Sequence, residues 1–211
     1  MKHLIIIGVG GFAREVYWHA QESKGFGIEF DLKGFLDGDV KLPEAEYEKL
    51  ELSVVGDVDN YIPQNDDVFI CAAGDSMVRK KLVEKMLRKQ AEFITLIHNT
   101  AIIHGNVKIG RGSIILGYTT IHDHACIGEF SVVGPHSGLG HDVVLGDFVS
   151  IMACASLCGG VFVEDEAFLA DGAAILPHAR VGRQSYVGAR SLVMRRVKNG
   201  EKVFGIPALP I

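Results

Sequence analysis

Written in sixes, residues 97–132 read IHNTAI IHGNVK IGRGSI ILGYTT IHDHAC IGEFSV, and the leading residue is Ile each time. Stepping by six from Ile97 to Val193 gives 17 leading positions, all Ile, Leu or Val, although those types supply only 58 of the 211 residues. Four places after each leader comes a small or β-branched residue, as in Ala101, Ser113, Thr119, Ala125, Ser131, Ser137 and Ala155. The residue just after a leader is often Gly, as in Gly110, Gly128, Gly134, Gly140 and Gly146. A period of six fits neither an α-helix, with about 3.6 residues per turn, nor a strand that alternates in twos. It fits a solenoid whose flat faces each take one short strand and turn one large apolar side chain inward. In this reading the glycines supply the backbone angles that tight corners demand.

The solenoid occupies residues 97–193, leaving room for a separate domain at 1–96 and a closing tail at 194–211. Beyond Val193, Met194-Arg195-Arg196 and Lys198-Asn199-Gly200-Glu201 break the pattern and are expected to leave the solenoid. A hydrophobic content of 48% with 22% charged residues describes an ordinary soluble globular chain. The net charge of −5 argues against a nucleic-acid surface, which is normally basic. Cys71, Cys126, Cys154 and Cys158 show no zinc-ribbon spacing and suggest free thiols in a reducing compartment. The apolar run Leu4–Val9 is too short for a signal peptide and meets Arg14 and Glu15 without a cleavage site. No stretch has the length to span a membrane, so a cytoplasmic location is expected.

The first 96 residues alternate strand and helix. Leu4–Ile7 reads as a buried parallel strand, followed by the turn Gly8-Val9-Gly10-Gly11 and a helix over about Phe12–Ser23, with Val16, Tyr17, Trp18 and Ala20 toward the sheet. Lys33–Asp37 is a second strand, ending in Asp37-Gly38-Asp39, and Asp67–Gly74 a third. A basic amphipathic helix over Ser76–Gln90 carries Val78, Leu82 and Met86 inward and a solvated Arg79, Lys80, Lys81, Lys85, Arg88, Lys89 face. Phe93–Leu96 is the fourth strand. Such an order implies a small Rossmann-like parallel sheet. The Gly8-x-Gly10-Gly11-x-Ala13 turn, with Asp37 after the second strand, points to a nucleotide or nucleotide sugar, with a purely structural turn as the alternative; four strands leave too little room for a full NAD site.

Seven of nine histidines fall in the solenoid, and none takes an inward leading position. His104 and His122 are eighteen residues apart, a spacing that stacks them in a solenoid turning once per three hexads. His141-Asp142, in Gly138-Leu139-Gly140-His141-Asp142-Val143, sets an imidazole beside a carboxylate at a corner. An imidazole ordinarily titrates at about pH 6.5, close to working pH, which suits a general base.

The hexads resemble the hexapeptide-repeat transferases, whose left-handed parallel β-helix turns once per three hexads. With the glycine turn and short Rossmann-like domain, nearly the whole chain resembles the bacterial sugar acetyltransferases that include nucleotide-amino-sugar N-acetyltransferases and sialic acid O-acetyltransferases. The resemblance implies a homotrimer with sites between subunits, acetyl-CoA as co-substrate, no metal, and a UDP- or GDP-linked 4-amino-4,6-dideoxy sugar as acceptor, in the making of O-antigen, capsule or glycoprotein glycans. It implies His141 as base with Asp142 beside it. Nucleotide-sugar contacts fall on Gly10, Gly11, Phe12, Asp37, Gly38 and Gly74, and acetyl-CoA contacts on Ser150, Asp171 and Ala189. Some relatives carry histidine where this chain has Ser150.

Other readings stay open. O-acetylation of sialic acid or another sugar uses the same solenoid. A trimeric scaffold or sugar-nucleotide sensor would keep the fold without the chemistry. A metal-dependent carbonic-anhydrase solenoid would use His136 and His141, but its third histidine falls on Thr100. Acyl transfer through Cys154 or Cys158 lacks anything in the sequence that would activate a thiol.

Overall fold

The computed structural model describes residues 1–38 and 43–211. The chain divides into two compact units, Met1–Leu96 and Ile97–Ile211. In the first, Leu4, Ile5, Ile6 and Ile7 have no exposed surface, as a continuous apolar run predicts for a strand covered on both faces. Elements follow in the order β1 (Lys2–Ile7), α1 (Gly11–Gln21), β2 (Phe30–Asp37), α2 (Glu44–Tyr47), β3 (Val54–Asp57), β4 (Asp67–Cys71), α3 (Ser76–Arg88) and β5 (Glu92–Phe93). The strands form one parallel sheet in the order β3-β2-β1-β4-β5. α1 buries Ala13, Val16 and Ala20, and α3 buries Leu82, Val83 and Met86.

Several expectations need correcting. The sheet has five strands rather than four: β3 is a half-buried edge strand whose Gly56 breaks its apolar run. The expected strand Phe93–Leu96 divides, since Glu92–Phe93 pairs with β4 while Leu96–Ile97 joins a sheet of the solenoid. Trp18 is 56% exposed, because helical geometry turns it away from the face that buries Val16 and Ala20. Arg79 is not part of a solvated face. It lies three residues after buried Ser76 and three before buried Leu82, and only 1% of its surface is exposed. Val78, placed inward by the sequence, is partly exposed at 37%. Asp39 lies outside the described residues.

One polar pin holds the start of β4. Buried Asp67 accepts hydrogen bonds from Lys33 Nζ (2.6 Å), Tyr61 Oη (2.7 Å) and the Gln64 amide (2.9 Å). Burial pushes its carboxyl up, but the Lys33, Tyr61 and Gln64 donors outweigh this and hold it below the ordinary value.

In the second unit, strands of two or three residues stack into three parallel faces of a left-handed β-helix. The first face runs from Leu96–Ile97 to Lys202–Phe204, the second from Ile102–Ile103 to Leu192–Val193, and the third from Lys108–Ile109 to Arg196–Val197. Thr120 pairs with Ile102 on one side and Gly138 on the other, so one coil takes three hexads and coils stack at about 4.8 Å. Leaders such as Ile121, Val133, Leu139 and Ile151 are wholly buried.

The corners work differently from the sequence expectation. Every sixth residue from Asn106 to Arg190 has a φ between 53° and 70°, and only Gly112, Gly160 and Gly172 in that series are glycine. The glycines after the leaders serve close approach instead. A Cβ on Gly128 would lie 2.4 Å from the carbonyl carbon of Gly146 one coil on. Small residues in the fourth column have a matching polar role. Buried Ser113 donates to Gly128 O (2.8 Å) and accepts from Ser131 N (3.0 Å), and Ser131 repeats the pattern with Gly146 O and Val149 N. Each hydroxyl ties two coils together.

The solenoid also runs past Val193, where the sequence suggested it ended. Val197 pairs with Val181 and Val203 with Val187, each 16 residues on rather than 18. Two residues are lost from one hexad, which hides the last coil from a strict count of six. Leu209–Pro210 then pairs antiparallel with Lys202–Phe204.

Two stability predictions follow. Gly128→Ala should destabilise the solenoid by about 3 kcal/mol in denaturant unfolding, since the added methyl meets backbone. Gly105→Ala, with nothing within 4 Å of the added atom, should cost nothing comparable. For the Asp67 pin, Lys33→Met should cost about 2 kcal/mol at pH 7. Because Asp67 titrates below its unfolded value of about 3.9, the pin's stabilisation is present above that pH and lost as pH falls through the folded value. The gap between wild type and variant should therefore close on acidification.

Candidate functional site

In the first unit, the carboxyl ends of β1, β2 and β4 surround a cleft of about 290 Å³. This is where open parallel sheets receive ligands, beside the point at which the strand order reverses. Gly10, Gly11, Phe12, Asp37, Gly38 and Gly74 all line it. So do Asp75, Val78 and Leu82, which sequence reasoning did not assign to the site. Val78 is half-exposed for this reason: it forms an apolar wall of the cleft.

Two helices begin at this cleft, and their ends differ. The N-cap of α1 is Gly10, with no side-chain cap, so the first amides of an 11-residue helix keep their positive end toward the cleft. The N-cap of α3 is Asp75, whose Oδ1 accepts from Met77 N and Val78 N, both at 2.9 Å. An anionic ligand is therefore favoured at α1 and disfavoured at α3. Gly8, at φ +118°, makes the turn between β1 and α1.

Behind the cleft, Arg79 donates to Ala73 O (2.8 Å) and Gly74 O (3.3 Å), fixing the loop after β4. Burial pulls its guanidinium down to about 10, partly offset by Cys71 and Asp75, so it stays charged at neutral pH. Burial likewise pushes the Cys71 thiol up to about 11, which leaves it inert. On the other wall, Tyr47 Oη donates to Asp37 Oδ2 at 2.6 Å. Asp37 Oδ1 is buried with no hydrogen-bond partner among the described residues. Tyr47 was not anticipated, since nothing in the sequence links position 47 to position 37.

The second unit carries its chemistry along its corners. Five imidazoles, His104, His122, His124, His141 and His178, fall on the one edge between the second and third faces. His104 and His122 stack at 4.9 Å with 8° between rings, as their 18-residue spacing predicts. His124 Nδ1 lies 2.7 Å from Asp123 Oδ2, which also receives Asn106 at Oδ1. His141 Nδ1 lies 2.8 Å from Asp142 Oδ2, with side chains 69% and 64% exposed. When Nδ1 carries the proton and donates it to Asp142, the lone pair stands on Nε2. His98, by contrast, is buried at the start of the solenoid beside Thr100, although its register is not an inward one.

Asp171 and Ala189 lie one coil apart on a different edge, between the first and second faces. A whole face separates them from His141, and the single chain does not bring the two sets together. Asp171 Oδ1 accepts from Ala153 N at 3.1 Å, tying its coil to the one before. Ser150 sits on the first face and has no exposed surface. Among the described residues, no group of three His, Cys, Asp or Glu side chains is placed to hold a metal ion. Likewise no helix among them is long and apolar enough to cross a membrane.

Residues 3–86 match the family model of the PglD N-terminal domain, and residues 100–135 match that of the bacterial transferase hexapeptide (six repeats). The chain is 32% identical over 107 residues to GDP-perosamine N-acetyltransferase of Escherichia coli O157:H7, covering 51% of this chain and 48% of that protein. It is 31% identical over 118 residues to UDP-N-acetylbacillosamine N-acetyltransferase of Bacillus subtilis (strain 168), covering 55% and 52%. The chain thus matches about half the length of these curated relatives. A crystal structure of PerB from Caulobacter crescentus in complex with CoA and GDP-perosamine superimposes with a TM-score of 0.88 at 26% identity, over 100% of this chain and 98% of that one. Residues 3–86 and 100–135 thus match a PglD-type N-terminal domain and a hexapeptide-repeat segment in one chain, and the whole chain is similar in fold to PerB.

Proposed function

We propose that the protein is an acetyl-CoA-dependent N-acetyltransferase acting on the 4-amino group of a nucleotide-linked 4-amino-4,6-dideoxy sugar, in the cytoplasm, as a homotrimer. The observation that carries this reading is the pairing of two features in one chain. One is a cleft with an uncapped helix end and a carboxylate; the other is a solenoid edge bearing the His141–Asp142 pair. The relatives named above, one acting on a GDP-linked and one on a UDP-linked amino sugar, support the substrate class. CoA bound in the PerB structure supports the co-substrate.

In this mechanism the diphosphate lies against the α1 amides, and Asp37 accepts a hydrogen bond from the nucleoside. His141 Nε2 takes a proton from the amine as its nitrogen attacks the thioester carbonyl, with Asp142 holding the Nδ1–H. The tetrahedral intermediate collapses, the C–S bond breaks, and the CoA thiolate leaves and recovers the proton from His141. No covalent enzyme intermediate forms. We assign acetyl-CoA to the edge bearing Asp171 and Ala189; Ser150 lies on the adjoining first face and has no exposed surface in the single chain. As a whole face separates that edge from His141, a neighbouring subunit's solenoid would complete the site, which is the reason to expect a trimer.

The test is thiol release from acetyl-CoA with UDP- and GDP-linked 4-amino-4,6-dideoxy sugars, beside free sialic acid. His141→Ala should lower kcat with the preferred amino sugar by about 10²–10⁴-fold. Turnover of sialic acid alone would replace this reading with O-acetylation, and silence with no acetyl-CoA binding would leave a scaffold. Asp37→Asn should weaken nucleotide binding about tenfold by calorimetry without changing the acetyl-CoA affinity.

A further inference from the structure

His141 and Gly159 are 18 residues apart, so Gly159 lies directly beside the histidine on the next coil. A Cβ built on Gly159 would sit 2.4 Å from His141 Nε2, 2.6 Å from Cε1 and 3.1 Å from Cδ2. The imidazole therefore lies against bare backbone, with Nε2 as the ring atom closest to it. Gly159 is not among the residues with positive φ, so the chain does not need glycine there for its own path. At Gly128 the nearest atoms to the added Cβ are backbone, whereas at Gly159 the three nearest all belong to the His141 ring.

We propose that Gly159 is a positioning residue for His141: its missing side chain lets the imidazole lie flat along the edge with Nδ1 on Asp142 and Nε2 at a fixed height. This rests on the reading of His141 as the general base. The neighbouring Gly160 differs in that its φ of +69° belongs to the corner series. A Cβ there would lie 2.4 Å from His178 Nδ1, the imidazole one coil further on. A methyl at position 159 would meet first the tip of an exposed side chain. The fold should tolerate it, and the ring should move.

The variants are Gly159→Ala and, as a control from the same column three coils earlier, Gly105→Ala, where nothing lies within 4 Å. His141→Ala and the His141→Ala/Gly159→Ala double variant complete a cycle. Gly159→Ala should lower kcat by about 10–100-fold, the scale of a 1 Å misplacement, with KM for both substrates and Tm unchanged. It should cost nothing further in the His141→Ala background, and Gly105→Ala should match wild type. By NMR the His141 ring resonances should shift in Gly159→Ala while those of His104 and His122 stay in place. Wild-type kcat in Gly159→Ala, or an equal loss with and without His141, would overturn the proposal. If His141→Ala itself keeps full activity, the base reading fails instead. Should the enzyme turn over none of the sugars, the acetyltransferase reading fails, and unmoved His141 resonances would still refute the positioning.

Discussion

A coil of eighteen residues, repeated without slip from Ile97 to Val193, governs most of what this chain does. Once coils stack at about 4.8 Å, every residue has a fixed neighbour eighteen places away, and side chains compete for that narrow spacing. Large leaders fill the inside, and glycines after them let backbones close to contact. Serine and threonine hydroxyls bridge the carbonyls and amides left between coils. On the outside the same spacing produces stacked columns: His104 on His122, Tyr118 on His136, Phe130 on Phe148, Phe168 on Tyr186. His141 stands on the edge that also carries the His104–His122 stack, so the space around its ring is set by what its neighbours one coil away leave open.

The first unit has a different task in the proposed function, the capture of a charged, polar ligand by a small sheet. Its answer is asymmetry between two helix ends. α1 begins at a bare glycine and keeps its amides for an anion, while Asp75 closes the end of α3. Arg79 pins the loop after β4 from behind, and Tyr47 holds one oxygen of Asp37. In the proposed function a diphosphate would take the α1 end of the cleft and turn its nucleoside toward Asp37.

Much of this was legible in the sequence because inward positions tolerate no exception: a polar leader would leave an unpaired group in a dry core. The repeat therefore gave the solenoid, and a spacing of eighteen gave the His104–His122 stack. Less visible was anything decided by a neighbour rather than by the residue itself. Arg79 looks like one more cation in a basic run until its partners, the carbonyls of Ala73 and Gly74, are in view. Corner angles were assigned to glycines, whereas residues such as His124, Phe130 and Asp142 adopt the left-handed conformation because stacking imposes it. The last coil escaped notice because a two-residue deletion after Val193 broke the count, although Val197 and Val203 still pair in register. Among the proposed acetyl-CoA residues, the burial of Ser150 and the link from Asp171 to Ala153 have no sequence signal at all.

The proposed function stands on transfer of an acetyl group to the 4-nitrogen of a sugar that still carries its nucleotide. The most direct test is to incubate the enzyme with acetyl-CoA and a nucleotide-linked 4-amino sugar and to locate the acetyl group on the product by NMR. The account predicts an amide at the 4-nitrogen, with the nucleotide still attached. An ester on a sugar hydroxyl, or an acetylated free sugar as the preferred product, would contradict it.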